Sequence, residues 1–115
     1  MVTLYHNPRC SKSREALALL RDRGEEPDVR LYLEQPPSAK ELKALVKKLG
    51  IKPRQLLRTK EEEYKALGLD NPALSDTALI EAMAAHPRLI ERPIAVLGDK
   101  ARLGRPPEQV LELLD

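Results

Sequence analysis

The stretch VTLYHNPRCSKSREALALL, Val2 to Leu20, decides how the rest of the chain is read. Val2 to Tyr5 is a short apolar run of strand-forming residues. The apolar block Ala16 to Leu20 belongs to a helix, which Gly24 ends after Arg21-Asp22-Arg23. Between the two lies a polar loop holding the only cysteine of the sequence, Cys10. Asp28 to Leu33 alternates, with Val29, Leu31 and Leu33 on one side, so a second strand follows and the opening third reads as βαβ. Such a crossover is right-handed and leaves its two strands parallel.

Pro36-Pro37 breaks the chain. Ser38 with Glu41 then forms a capping box for a helix whose Leu42, Leu45, Val46 and Leu49 recur at i, i+3, i+4, i+7 and which Gly50 ends. From Pro53 to His86 the pattern is short helices: Pro53 at a first helical position, Tyr64 and Leu67 before Gly68, and Ser75 capping a helix with Leu79, Ile80 and Met83. The run Lys60-Glu-Glu-Glu63 is expected to be a solvated helix face. Pro93 opens a strand over Ile94 to Leu97, Gly98-Asp99 supplies a turn, and Lys100 to Leu103 completes a hairpin. Pro106-Pro107 starts a closing helix with Val110, Leu111 and Leu114 inward. The order βαβ, helices, ββα predicts an α/β protein of the thioredoxin-like fold with a mixed central sheet. It would be a single domain over 1–115 with a helical insertion at about 38–87.

Composition narrows the function classes. With 115 residues, 42% of them apolar and 33% charged, the chain can bury a modest core and lacks the profile of disorder. A net charge of +2, from 20 basic and 18 acidic side chains, gives no one-sided field, and three Tyr without Phe or Trp give few stacking platforms, so nucleic acid is not an expected partner. No apolar run approaches the roughly 20 residues of a membrane span, and the N-terminus lacks a secretory pattern. The expectation is a cytoplasmic monomer without membrane association. Two histidines far apart and one cysteine assemble no metal-ligand spacing, so no metal and no bound cofactor are expected.

A thiol at the first turn of a helix faces unpaired backbone N–H groups and the positive end of the helix dipole, both of which favour the nucleophilic thiolate. The same N–H groups, of Ser11, Lys12 and Ser13, would cradle an oxyanion beside the sulfur. The Ser13 hydroxyl is expected as a further donor, and Arg9, Lys12 and Arg14 as nearby positive charge. A free cysteine is often a small buried hydrophobe, but the polar flanks Asn7-Pro-Arg9 and Ser11-Lys-Ser-Arg14 argue for a reactive one. His6 could lower the thiol pKa or hold the loop by a hydrogen bond. Cys10-Ser-Lys-Ser13 has serine where a second cysteine would complete a Cys-x-x-Cys frame, so an adduct on the sulfur needs an external thiol for release.

Several segments together resemble the glutaredoxin-dependent arsenate reductases: Tyr5-His-Asn-Pro-Arg-Cys-Ser-Lys-Ser-Arg14, Leu31-Tyr-Leu33, Gln55-Leu-Leu-Arg58, His86-Pro87, Ile90-Glu-Arg-Pro-Ile94 and Arg102-Leu-Gly-Arg-Pro106. The resemblance implies that Cys10 is the nucleophile. It implies too that Arg58, Arg92 and Arg105 close over an arsenate or similar oxyanion, for which the planar guanidinium fork is well shaped. His6, Asn7, Arg14 and Pro93 would support the site, Pro93 through a cis peptide bond after Arg92. Glutathione would be the co-substrate and glutaredoxin the protein partner. In one departure, the chain stops at Asp115, where long-form reductases carry a further tail.

Two other readings of the sequence remain. One is a redox-related transcription regulator that binds RNA polymerase, against which stand Ser13 in place of a second cysteine and the complete arginine set. The other is a glutathione-dependent thiol oxidoreductase acting on a different substrate.

Overall fold

In the computed structural model, which describes residues 1–115, the opening stretch forms strand β1 (Thr3–Tyr5), helix α1 (Ser11–Asp22) and strand β2 (Asp28–Arg30). β1 and β2 are parallel, with Leu4 opposite Val29. Strands β3 (Ile94–Leu97) and β4 (Lys100–Leu103) form the expected hairpin, and β3 pairs antiparallel with β1. The result is a mixed four-stranded sheet in the order β2-β1-β3-β4.

β2 is shorter than the alternation suggests. The carbonyl of Leu31 accepts from both Glu34 N–H (3.0 Å) and Gln35 N–H (2.9 Å), so the chain turns there and Leu33 is left exposed. A turn stabilised by two bonds to one carbonyl overrides a period-2 pattern that only three residues carry.

Alternation within β1 points Val2 and Leu4 to one face. There they pack with Ala95 of β3, Ala16 and Leu20 of α1, and Val110 and Leu113 of the closing helix. Leu4 and Leu20 are fully buried, each contributing about 1.5–3 kcal/mol of hydrophobic stabilisation. The closing helix, Pro107–Leu114, is 3₁₀ rather than α. Its buried residues are therefore Pro107, Val110 and Leu113, three apart as a three-residue turn demands. Leu111 and Leu114, expected inward, are only partly buried at the margin.

These segments, Met1–Gln35 and Arg92–Asp115, make one compact unit; Pro36–Glu91 makes a second. The second unit contains α2 (Ala39–Leu49), α3 (Pro53–Leu56), α4 (Glu62–Ala66), α5 (Asp76–Ala85) and a 3₁₀ turn at Pro87–Leu89. Ser38 Oγ accepts from Glu41 N–H at 3.1 Å, and Ser75 Oγ accepts from Ala78 N–H at the same distance, so both predicted N-caps are in place. Gly50 closes α2 at φ 69°, a left-handed conformation that side chains oppose. Leu42, Leu45 and Val46 of α2 are buried, as are Leu79, Ile80 and Met83 of α5. No helix is long and apolar enough to cross a membrane.

Candidate active site

Cys10 is the N-cap of α1, with extended backbone (φ −95°, ψ 123°) and a partly exposed side chain that makes no capping bond. The first helical bond is Arg14 N–H to Cys10 C=O at 3.0 Å. The N–H groups of Ser11, Lys12 and Ser13 therefore have no helical carbonyl to bond. Ser11 and Lys12 are exposed. The thiol is thus accessible and sits at the head of a ring of backbone donors.

The loop before it is braced from within. Cys10 N–H donates to Asn7 C=O (3.0 Å), Arg9 N–H donates to Asn7 Oδ1 (3.0 Å), and Arg14 Nη1 donates to Pro8 C=O (2.8 Å). The Ser13 hydroxyl differs from its expected role. Ser13 is wholly buried; its Oγ accepts from Asn7 N–H (3.0 Å) and lies 2.7 Å from His6 Nδ1. With one donor and two acceptor sites, that hydroxyl bonds both the Asn7 amide and the imidazole. Ser13 therefore holds the loop with its side chain and can offer a ligand only its amide. Burial holds the His6 pKa below the usual imidazole value, and the positive charges of Arg21 and Arg14 push the same way. The ring is neutral at pH 7, which makes it a loop brace rather than a cation beside the sulfur.

Strand register gathers distant segments at one end of the sheet. Tyr5 is opposite Ile94, and Ile94 is opposite Leu103, so the chain leaves β1 toward Cys10 where it enters β3 from Arg92-Pro93 and leaves β4 into Gly104-Arg105. Gly104 N–H donates to Pro93 C=O (2.9 Å), and Arg105 Nε donates to Arg92 C=O (3.0 Å). The Arg92-Pro93 peptide is cis, as is Arg105-Pro106. Gly104 is a residue that sequence reasoning passed over. A Cβ there would stand 2.5 Å from Pro93 Cγ, so only glycine lets β4 close on the proline ring. Arg92 carries the most informative feature: its Nε and Nη1 are buried and have no hydrogen-bond partner.

Arg58 lies in the second unit. Its Nη1 meets Glu61 Oε1 at 2.5 Å and its Nε meets Glu91 Oε1 at 3.3 Å, while Arg88 Nη2 reaches Glu61 Oε2 at 3.4 Å. The acidic run 60–63 is thus not merely a solvated face, since Glu61 is largely buried in this network. Arg58 and Glu61 stand at the two ends of a turn, Glu61 N–H donating to Arg58 C=O at 3.5 Å, and nothing local marks Glu91. A cavity of about 260 Å³ beside the Cys10 loop is lined by His6 to Arg9, Leu31, Leu33 and Glu34.

Sheet order, crossover and helix-borne thiol define a protein of the thioredoxin-like fold with one accessible cysteine at the start of its first helix. The ArsC family model matches residues 5–113, and the chain belongs to that family. A Haemophilus influenzae protein named "Arsenate reductase" is 56% identical over 98% of this chain and 98% of its own. An Escherichia coli K12 protein named "Uncharacterized protein YfgD" is 57% identical over 98% and 96%. The solved structure "Arsenate reductase from Vibrio cholerae" has a TM-score of 0.94 and 59% identity, covering 96% of this chain and 95% of its own.

Proposed function

We propose that this protein reduces arsenate to arsenite, with Cys10 as nucleophile and glutathione and glutaredoxin as electron source. The observation that carries the reading is Arg92, whose Nε and Nη1 are buried without partners at the sheet end where the Cys10 loop begins. Leaving charged donors unsatisfied costs about 1–3 kcal/mol or more, a cost that a tetrahedral oxyanion would remove once the guanidinium turned out to meet it, since neither nitrogen touches solvent in this structure. Arg105, anchored to the Arg92 carbonyl, and the amides of Ser11, Lys12 and Ser13 supply further donors. Family membership and the names of the relatives support arsenate as that oxyanion.

In the reaction, the Cys10 thiolate attacks arsenic. A sulfur–arsenic bond forms, an arsenic–oxygen bond breaks, and the oxygen leaves as water after protonation. Glutathione thiolate adds at arsenic and displaces a second oxygen as water. A glutaredoxin thiolate then attacks the glutathione sulfur. The mixed disulfide that forms carries the oxidation, the electron pair of the broken sulfur–arsenic bond stays on arsenic, and hydrolysis frees arsenite and the Cys10 thiol. The one cysteine in the sequence supports electron supply from other molecules. The small cavity beside the loop, with Arg9 and Glu34 of opposite sign, offers a zwitterionic tripeptide a place to lie.

The test is NADPH consumption with arsenate, glutathione, glutaredoxin and glutathione reductase. Wild type is expected to turn over, Cys10→Ser to show none, and omission of glutaredoxin to stop the reaction. Glutathione-dependent turnover of another oxyanion, with none of arsenate, would transfer the site to a different substrate.

A further inference from the structure

The second unit contains a larger cavity, about 540 Å³, bounded by α2, α3 and α5. Its volume falls in the ordinary range of small-molecule sites, roughly 300–1,000 Å³. Buried Val46, Pro53 and Ile80, with half-buried Ile51, line it with hydrocarbon. Four exposed lysines also line it: Lys40, Lys43 and Lys47, spaced i, i+3, i+7 along α2, and Lys52 just before α3.

None of these lysines makes an ion pair. Like charges at this spacing cost a helix about 0.2–0.5 kcal/mol per neighbouring pair, and no carboxylate relieves the cost by direct contact. Asp76 and Glu81 of α5 are the acidic residues lining the cavity, so the four lysines outnumber them by two positive charges.

We propose that this cavity binds a small organic dianion with an apolar body. Hydrocarbon walls hold the body by excluding water, which a bare oxyanion could not exploit. Lysines at the rim are mobile point charges suited to anionic groups set apart on one ligand, whereas a single planar oxyanion suits arginine forks better. Three helices wall the cavity and leave its mouth open to solvent, which suits a compact ligand that buries its body while its anionic groups stay at the lysine rim.

The probe is naphthalene-2,6-disulfonate, added to the full-length protein and followed by calorimetry and by amide chemical shifts. One-to-one binding is expected, with shifts at Ile51, Thr77 and Ile80. Lys43→Glu combined with Lys47→Glu alters only exposed side chains and should weaken binding at least about tenfold by turning attraction to repulsion. Naphthalene-2,6-dimethanol, apolar but neutral, should bind more weakly than the disulfonate. The proposal falls if the double variant binds the disulfonate as tightly as wild type. It falls too if inorganic sulfate moves the same amides equally, or if a peptide rich in Glu and Leu binds there while the disulfonate does not. Binding is read directly and does not depend on what Cys10 does.

Discussion

His6 and Ser13 show how a residue that looks catalytic in sequence can serve the site indirectly. The 2.7 Å contact between His6 Nδ1 and Ser13 Oγ, both side chains buried, ties the end of β1 to the first turn of α1 across the loop that presents Cys10. A ring kept neutral by burial has a consequence for stability. Above pH about 6.5 the ring is neutral in folded and unfolded chains alike, and its contribution is fully present. As pH falls below that value the unfolded chain takes up a proton that the native ring does not, so stability is lost until the lower native pKa is passed. The urea midpoint of wild type should therefore drop more between pH 7.5 and 5.5 than that of His6→Asn, whose amide cannot titrate. Equal drops would show that the His6 ring is not responsible.

At the scale of elements, local chemistry was the most legible. Ser38 and Ser75 caps, the Gly50 stop and the Gly98-Asp99 hairpin turn were readable because each rests on residues within one turn of chain. Cys10 at the head of α1 was readable for the same reason. The failures have another character. Leu33 fell outside β2 and Leu111 outside the core because hydrogen bonding at Leu31 and 3₁₀ winding at Pro107–Leu114 changed the period that the apolar residues suggested. Gly104 could not be found from local pattern, since its reason is a proline ring on a neighbouring strand. Its φ is not left-handed, so Gly104→Ala meets no backbone penalty and isolates that one contact. A methyl 2.5 Å from Pro93 Cγ and 3.2 Å from Val110 Cγ1 must displace β4 from the ring. The expected cost is about 1–3 kcal/mol in denaturant unfolding. On the proposed function, arsenate KM should rise as well, because Arg105, a proposed donor to the oxyanion, is the next residue.

Across the whole molecule, the first unit is assembled from the two ends of the sequence: Cys10 comes from Met1–Gln35, while Arg92 and Arg105 come from Arg92–Asp115. Only the folded sheet brings these segments to one end, so an oxyanion held there binds the native chain and not the unfolded one. Ligand at a hundred times its Kd then adds about 2.7 kcal/mol to stability, which for a chain of 115 residues is on the order of 10 °C in Tm. The unpartnered nitrogens of Arg92 predict an opposite effect in the absence of ligand. Arg92→Met keeps the hydrocarbon length and removes a guanidinium whose buried donors are unsatisfied, so it should be more stable than wild type by about 1–3 kcal/mol. Thermal scans in buffer and in rising arsenate separate these terms. Wild type should start lower and climb with the logarithm of arsenate concentration, whereas Arg92→Met should start higher and stay flat. A variant that began below wild type and still climbed would mean that Arg92 supports the fold and that the oxyanion seat lies elsewhere.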